Sequence, residues 1–293
     1  MLATSTDGVH WQTEGPVNEE RERAAGNKFF KCFVGRCGDR FIMDHGVARP
    51  GGQDMMRFYE STDLRSWSYL SSNSPDPRWY GRPPQPARWD HMYILPKEEG
   101  NPAAGYWGHV VAVPKPGDPP GVGMMESADG RAWNVLPPAP MLWPKGMETV
   151  SHFEYGGCER INGKYFMMRR KGQTDAFHSA CIALGRSKDL VHWEVGDPCC
   201  TPNRFNCFEV PDVFKLGEKW YLIALTGDGY GQSHRWSDPN ITCATVVFQA
   251  DRPEGPFEEV KAELAPGFHR AAGLQRPNCR TPWRAPHVLH AAE

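Results

Sequence analysis

The sequence predicts an all-β fold, a five-bladed β-propeller built from four-stranded antiparallel blades, and three observations carry that prediction. First, the pattern Ser-x-Asp-x-x-x-Trp occurs four times, ending at Trp11, Trp67, Trp133 and Trp193. A degenerate fifth copy ends in Gly255-Pro256-Phe257, and the five aromatic positions recur every 56–66 residues. Second, residues 153–168 align without gaps on residues 208–223. Third, 30 glycines and 27 prolines are scattered through 293 residues, as many short strands joined by turns require.

Each element of that fold follows from local chemistry. In the Ser-x-Asp copies the Asp side chain can bond backbone amides two residues on, and strand-like residues flank the motif, as in Ala180-Cys-Ile-Ala-Leu184. This is an outer hairpin of a sheet, with its tryptophan between neighbouring sheets. The second repeat reads strand, turn, strand, turning at Asn162-Gly163 or at Gly217-Glu218. Weaker relatives lie in residues 32–43, and in residues 89–95 and 105–111 around an inserted loop. Two hairpins per unit of about 60 residues make a four-stranded sheet, and five such units make a ring. The first unit begins at its outer hairpin. The tail, residues 276–289, therefore supplies an inner strand beside residues 2–5 and closes a single domain spanning 1–293, which protects both edges.

Composition excludes several classes of function. Lys plus Arg is 33 and Asp plus Glu is 35, a net charge of −2. That leaves no basic field for nucleic acid and no polybasic membrane anchor. Apolar runs such as residues 221–225 are too short to span a bilayer. Met1-Leu2-Ala3 leads straight into polar residues, so no signal peptide is visible, and a chain trimmed at its front reads the same. The nine cysteines contain no Cys-x-x-Cys pair. They read as small buried hydrophobes of a soluble protein in a reducing compartment, which favours the cytoplasm.

Chemistry is expected where innermost strands converge on the axis. An acid buried there is costly unless paired. Glu154 and Glu209 occupy the same place in the gapless repeat, and Asp90 stands near it in Trp89-Asp90. The first full blade has Phe30-Lys31 there, and the tail strand has Arg284. Crowded carboxylates raise one another's pKa, so one stays protonated while another stays ionised. This suits acid/base work on a neutral polyhydroxy ligand. The plainer alternative is strand-end acids paired with Arg160, Arg169 or Arg170, and Asp212 reads as a turn or supporting residue. Trp89, Trp107, Phe153, Phe208 and Trp283 offer faces for a sugar ring, although each suits the core equally well. Arg284 and His287 join them as polar contacts. Nothing has His-x-x-x-His or similar spacing, so no metal caged by protein side chains is expected.

Two segments carry a resemblance. Glu209-Val210-Pro211-Asp212 resembles the Glu-Cys-Pro-Asp segment of family 32 glycoside hydrolases, the invertase and fructanase group. The hairpin ending at Trp193 and the Gly255-Pro256-Phe257 ending resemble those of family 43, the arabinofuranosidase and xylosidase group. The resemblance in repeat layout covers nearly the whole chain, and that in motifs covers residues 150–260. It implies a carbohydrate-cleaving propeller with three acids in the funnel. Glu209 matches the general acid, and Glu154 stands where those families place the Asp that orients it. The chain departs from them in lacking Trp-Met-Asn-Asp-Pro-Asn-Gly and Arg-Asp-Pro. Asp90 stands in for the nucleophile or base, with Asp44 in reserve. No cofactor is implied beyond a single axial cation held through a His such as His91, His109, His152 or His287. The alternatives are a non-catalytic carbohydrate-binding propeller and a glycoside phosphorylase of related fold. The latter needs a phosphate pocket, and a strand alternates faces, so Arg169-Arg170-Lys171 cannot all point inward. A sialidase fits worse, because its Asp-box is one residue longer than this repeat.

Overall fold

The computed structural model describes residues 2–4, 12–15, 28–48, 55–81, 89–112, 121–145, 147–149, 155–158, 163–170, 180–202, 208–227 and 243–260. Among these the fold is all-β, with one 3₁₀ turn, Pro102–Ala104, and no α-helix. No helix among them is long and apolar enough to cross a membrane. The strands group into two compact units that divide between Ala139 and Pro140.

The first unit opens with β1 (Leu2–Thr4) and β2 (Gln12–Gly15), which pair antiparallel around the first motif copy. Next comes an antiparallel sheet in chain order: β3 (Lys28–Cys37), β4 (Arg40–Ala48), β5 (Met55–Ser61) and β6 (Ser68–Asn73). Then come β7 (Trp89–Pro96), β8 (Tyr106–Ala112), β9 (Gly121–Ser127) and β10 (Asn134–Leu142), hydrogen-bonded neighbours in that order along a longer sheet. The last residues of β10 belong to the second unit, where Met141 and Leu142 pair in parallel with Trp193 and Glu194.

The second unit holds β11 (Met147–Thr149), β12 (Tyr155–Cys158), β13 (Gly163–Arg170), β14 (Ala180–Arg186) and β15 (Trp193–Cys200). Both β11 and β12 pair with β13, so two short pieces share the place of one inner strand. A last sheet runs β16 (Glu209–Leu216), β17 (Lys219–Gly227), β18 (Cys243–Ala250) and β19 (Glu258–Glu259).

The outer hairpins follow the predicted turn chemistry. Between β5 and β6 the Ser61 Oγ accepts the amides of Asp63 and Leu64 at 3.1 and 2.9 Å. Asp63 Oδ1 accepts those of Arg65 and Ser66 at 2.8 and 2.7 Å. The Trp67 indole N–H donates to the Leu64 carbonyl at 3.0 Å. Most of these bonds recur around Ser127, Asp129 and Trp133, and some around Asp189 and Trp193. The amides of Ser66 and Arg65, together with the Ser61 hydroxyl, hold the Asp63 carboxyl down at about 2. The fourth position of the motif lies in the left-handed region, with φ 62° at Leu64 and Leu190 and 81° at Gly130.

The tryptophan of the third motif copy packs between sheets. Trp133, 5% exposed, stacks on Phe58 of the neighbouring sheet at 5.8 Å and closes a core with Ile42, Met56, Met92 and Met125. Arg131 beside it pairs with Glu60, which Arg40 also holds. In the second unit Phe257 takes the tryptophan's place. Its amide donates to the Cys199 carbonyl at 2.8 Å, and its ring joins a core with Ile182, Leu222 and Phe248. The motif copy at Ser5–Trp11 and the closing strand at 276–289 lie outside the described residues.

Candidate active site

The inner hairpins position the site. β3–β4 turns at Gly38-Asp39 and β16–β17 at Gly217-Glu218, where Gly38 and Gly217 have φ near +60°. Position +φ favours glycine because a Cβ crowds the carbonyl. β7–β8 closes at Pro96 and Tyr106 around the inserted loop. Within the first unit β3 and β7 lie side by side, with Phe33 and Tyr93 rings 4.4 Å apart. Gly35 allows this approach, since a Cβ there would sit 2.7 Å from the Ile94 Cβ.

Among the described residues, the innermost strands β3, β7 and β16 each carry a bulge near their start. Pairing shifts between Phe30 and Cys32, between Trp89 and Met92, and between Glu209 and Asp212. Seven residues separate Phe30, Trp89 and Glu209 from the residue that closes each hairpin. These three therefore share one register position. Asp90 falls one residue later, at the position of Lys31 and Val210, inside the bulge. Asp90 therefore stands at the strand start, one residue from the register of Glu209.

Glu209 is the first residue of β16, with Leu225 opposite. Glu154 lies outside the described residues, immediately before Tyr155 of β12. The hairpin beyond it differs from the gapless repeat. Cys158 pairs with Gly163, so Gly163 belongs to the strand and not to a turn at Asn162-Gly163. Val213, the repeat counterpart of Cys158, pairs instead with Leu222.

The aromatic candidates separate. Trp89 is 0% exposed and sits edge-on to Tyr80 at 5.5 Å, whose hydroxyl donates to the Leu136 carbonyl and accepts the Met124 amide. Phe208 is also fully buried, edge-on to Phe248 at 5.9 Å. Both rings belong to the core, the second of the two roles open to them. Trp107 is half-buried and lies under the Lys97 ammonium, 4.1 Å from its ring centroid. It pairs with Leu95, at the opposite end of its hairpin from Trp89. Five residues of β8 separate Trp107 from Ala112, about 17 Å of strand. Phe153, Trp283, Arg284, His152 and His287 lie outside the described residues.

Asp44, the reserve candidate for nucleophile or base, has a different setting. It lies on β4 between Phe33 and Phe58 in register, is fully buried, and accepts the Met92 amide on its Oδ1 at 3.0 Å. Burial pushes its carboxyl well above the usual carboxylate range, against the lowering effect of the Met92 amide. A fully buried acid held by a backbone amide is poorly suited to meet a substrate. His109 on β8 is fully buried too. Among the described residues no three His, Cys, Asp or Glu side chains converge to hold a metal.

Known proteins share this architecture. A thermostable family-43 glycoside hydrolase superposes with a TM-score of 0.52 at 13% identity, over 81% of this chain and 73% of its own. The fold is shared with propeller glycoside hydrolases. A Bombyx mori GH32 beta-fructofuranosidase gives 0.54 at 13% identity, over 80% of this chain and 49% of its own. A levansucrase complexed with sucrose gives 0.55 at 10% identity, over 81% and 71%. In sequence, a probable sucrose-6-phosphate hydrolase of Psychromonas ingrahamii is 36% identical over 70 residues, which is 24% of this chain and 13% of that protein's length. No protein-family model matches the chain.

Proposed function

We propose that the chain is a glycoside hydrolase, with five blades closed by the C-terminal strand and the acids Glu209, Glu154 and Asp90 at the axis. The observation that carries this reading is Glu209 at the first position of a bulged innermost strand, in a fold shared with glycoside hydrolases. In this reading Glu209 protonates the departing glycosidic oxygen and Glu154 assists it. Asp90 attacks the anomeric carbon or activates a water against it. A carboxylate separation of about 5 Å between Asp90 and Glu209 would imply a covalent intermediate, and one of roughly 6.5–9.5 Å an activated water. The burial of Asp44 favours Asp90 over Asp44 for this task. Arg284 and His287 are proposed to bind the sugar from the tail strand. Fructosides lead the substrate list because a fructofuranosidase, a levansucrase and a sucrose-6-phosphate hydrolase are among the similar proteins; arabinofuranosides and xylosides follow.

The purified chain should be screened against sucrose, fructans, aryl-arabinofuranosides and aryl-xylosides. Turnover of one class, lost by at least about 100-fold in Asp90→Asn and partly restored by azide, is the expected result. One observation favours a second reading, a binding propeller without chemistry: Phe30 and Trp89 stand at the register of Glu209 in the other two innermost strands. Sugar binding without turnover of any substrate would decide for it.

A further inference from the structure

We propose that Asp44 is a positioning residue whose carboxyl fastens β4 to the bulge of β7 and so sets the backbone that carries Asp90 and His91. The role assigned to that backbone rests on the hydrolase reading above; the fastening itself does not.

Four observations converge on it. The counterparts of Asp44 in the other second strands are apolar: Val110 in β8 and Ile223 in β17. A carboxyl has therefore been placed where the repeat otherwise buries hydrocarbon, at a cost that only a compensating bond offsets. That bond reaches out of the sheet to which Asp44 belongs. It takes the amide of Met92, the residue at which regular pairing of β7 with β8 resumes after the bulge. Asp90 and His91 are the two residues between Trp89 and Met92, so the backbone that holds them is pinned on one side by the Trp89–Ala112 pair and on the other by Asp44. Finally, Oδ2 of Asp44 is buried without a hydrogen-bond partner among the described residues. Burial favours the neutral acid, and a neutral acid serves as an acceptor on Oδ1 and not as a base.

Two substitutions separate this role from direct chemistry. Asp44→Asn keeps the acceptor oxygen and the shape of the neutral acid. Asp44→Val installs the side chain that β8 uses at this position, so it is compatible with the fold. Amide hydrogen exchange over residues 89–96 is the first readout, with thermal unfolding as the control for global stability. We expect exchange at Met92 to stay within about threefold in Asp44→Asn and to quicken by at least about tenfold in Asp44→Val, the scale set by loss of one buried hydrogen bond. Exchange at residues 93–95 should not change. With a substrate in hand, kcat should fall by about tenfold or more in Asp44→Val at little-changed KM, and Asp44→Asn should restore it. Unchanged Met92 exchange in Asp44→Val overturns the proposal. So does a loss of turnover in Asp44→Asn equal to that in Asp44→Val while Met92 stays protected, because the ionised carboxylate would then be at work. If the wild type turns over nothing, the hydrolase reading fails and the exchange data still decide the fastening.

Discussion

In the hairpin between β5 and β6, Ser61 and Asp63 make the bonds that Ser127 and Asp129 make between β9 and β10. At the starts of β3, β7 and β16, one register position holds Phe30, Trp89 and Glu209. The outer hairpin and the inner strand start belong to the same repeating sheet, yet one repeats its side chains and the other only its backbone. The cause is what each side chain satisfies. Ser and Asp of the hairpin serve amides of their own turn, a need that arises wherever such a turn is built. At the inner strand start the backbone is served by the ladder and, at Met92 beyond the β7 bulge, by Asp44 of a neighbouring strand, so the side chain of the first residue is left for other work. In β7 that work is core packing, by Trp89. In β16 we assign it to acid catalysis, by Glu209.

The sharpest test of that contrast is Glu209→Gln, which preserves shape and removes the titration. Activity on ordinary substrates should fall by at least about 100-fold, in the range of general acid catalysis. Substrates with a very acidic leaving group should keep much of their rate, since they need no proton. Equal rates for wild type and variant on both substrate types would end the assignment.

At the other pole of the comparison, Trp133→Ala should destabilise the fold by about 3–5 kcal/mol in denaturant titrations, the usual cost of emptying a large aromatic site. Gly108 and Met92 lie against that ring, since a Cβ on Gly108 would meet Trp133 at 3.0 Å and the Met92 side chain, and the upper end of that range applies if Met92 does not relax into the gap. A change below about 1 kcal/mol would mean that the hairpin aromatic does not join the sheets.

The smallest effect concerns the left-handed position of the hairpin. Gly130→Ala should cost about 1–2 kcal/mol, through the Cβ penalty at positive φ and a contact of 2.6 Å with the Cys37 sulfur. Leu64→Gly at the equivalent position should change stability by less than about 0.5 kcal/mol, because relief of that penalty offsets the loss of a half-buried side chain. Thermal unfolding of the pair checks both. A Gly130→Ala variant as stable as the wild type would show that the shared turn geometry is not enforced there.

The repeat of Ser-x-Asp-x-x-x-Trp was enough to place the outer hairpins, because all its hydrogen bonds are local and any chain with that spacing can make them. The turn at Gly217-Glu218 was legible for the same reason: two residues of turn chemistry stand between two apolar runs. The β12–β13 register was not, since a gapless alignment compares side chains and pairing is decided by which strands meet. The bulges at Lys31, Asp90-His91 and Val210-Pro211 were invisible in the same way, and so was the one-residue offset of Asp90 from the register of Glu209. Burial separated Trp89 and Phe208 from Trp107, a distinction that three aromatic residues near strand ends do not carry in their identities. Asp44 and Met92 are 48 residues apart in the chain. The sequence alone determined the outer hairpins, the turn at Gly217-Glu218 and the acids proposed for the site. Tertiary structure alone decided which acid was buried against a neighbouring strand, because desolvation depends on what surrounds a group and not on what precedes it.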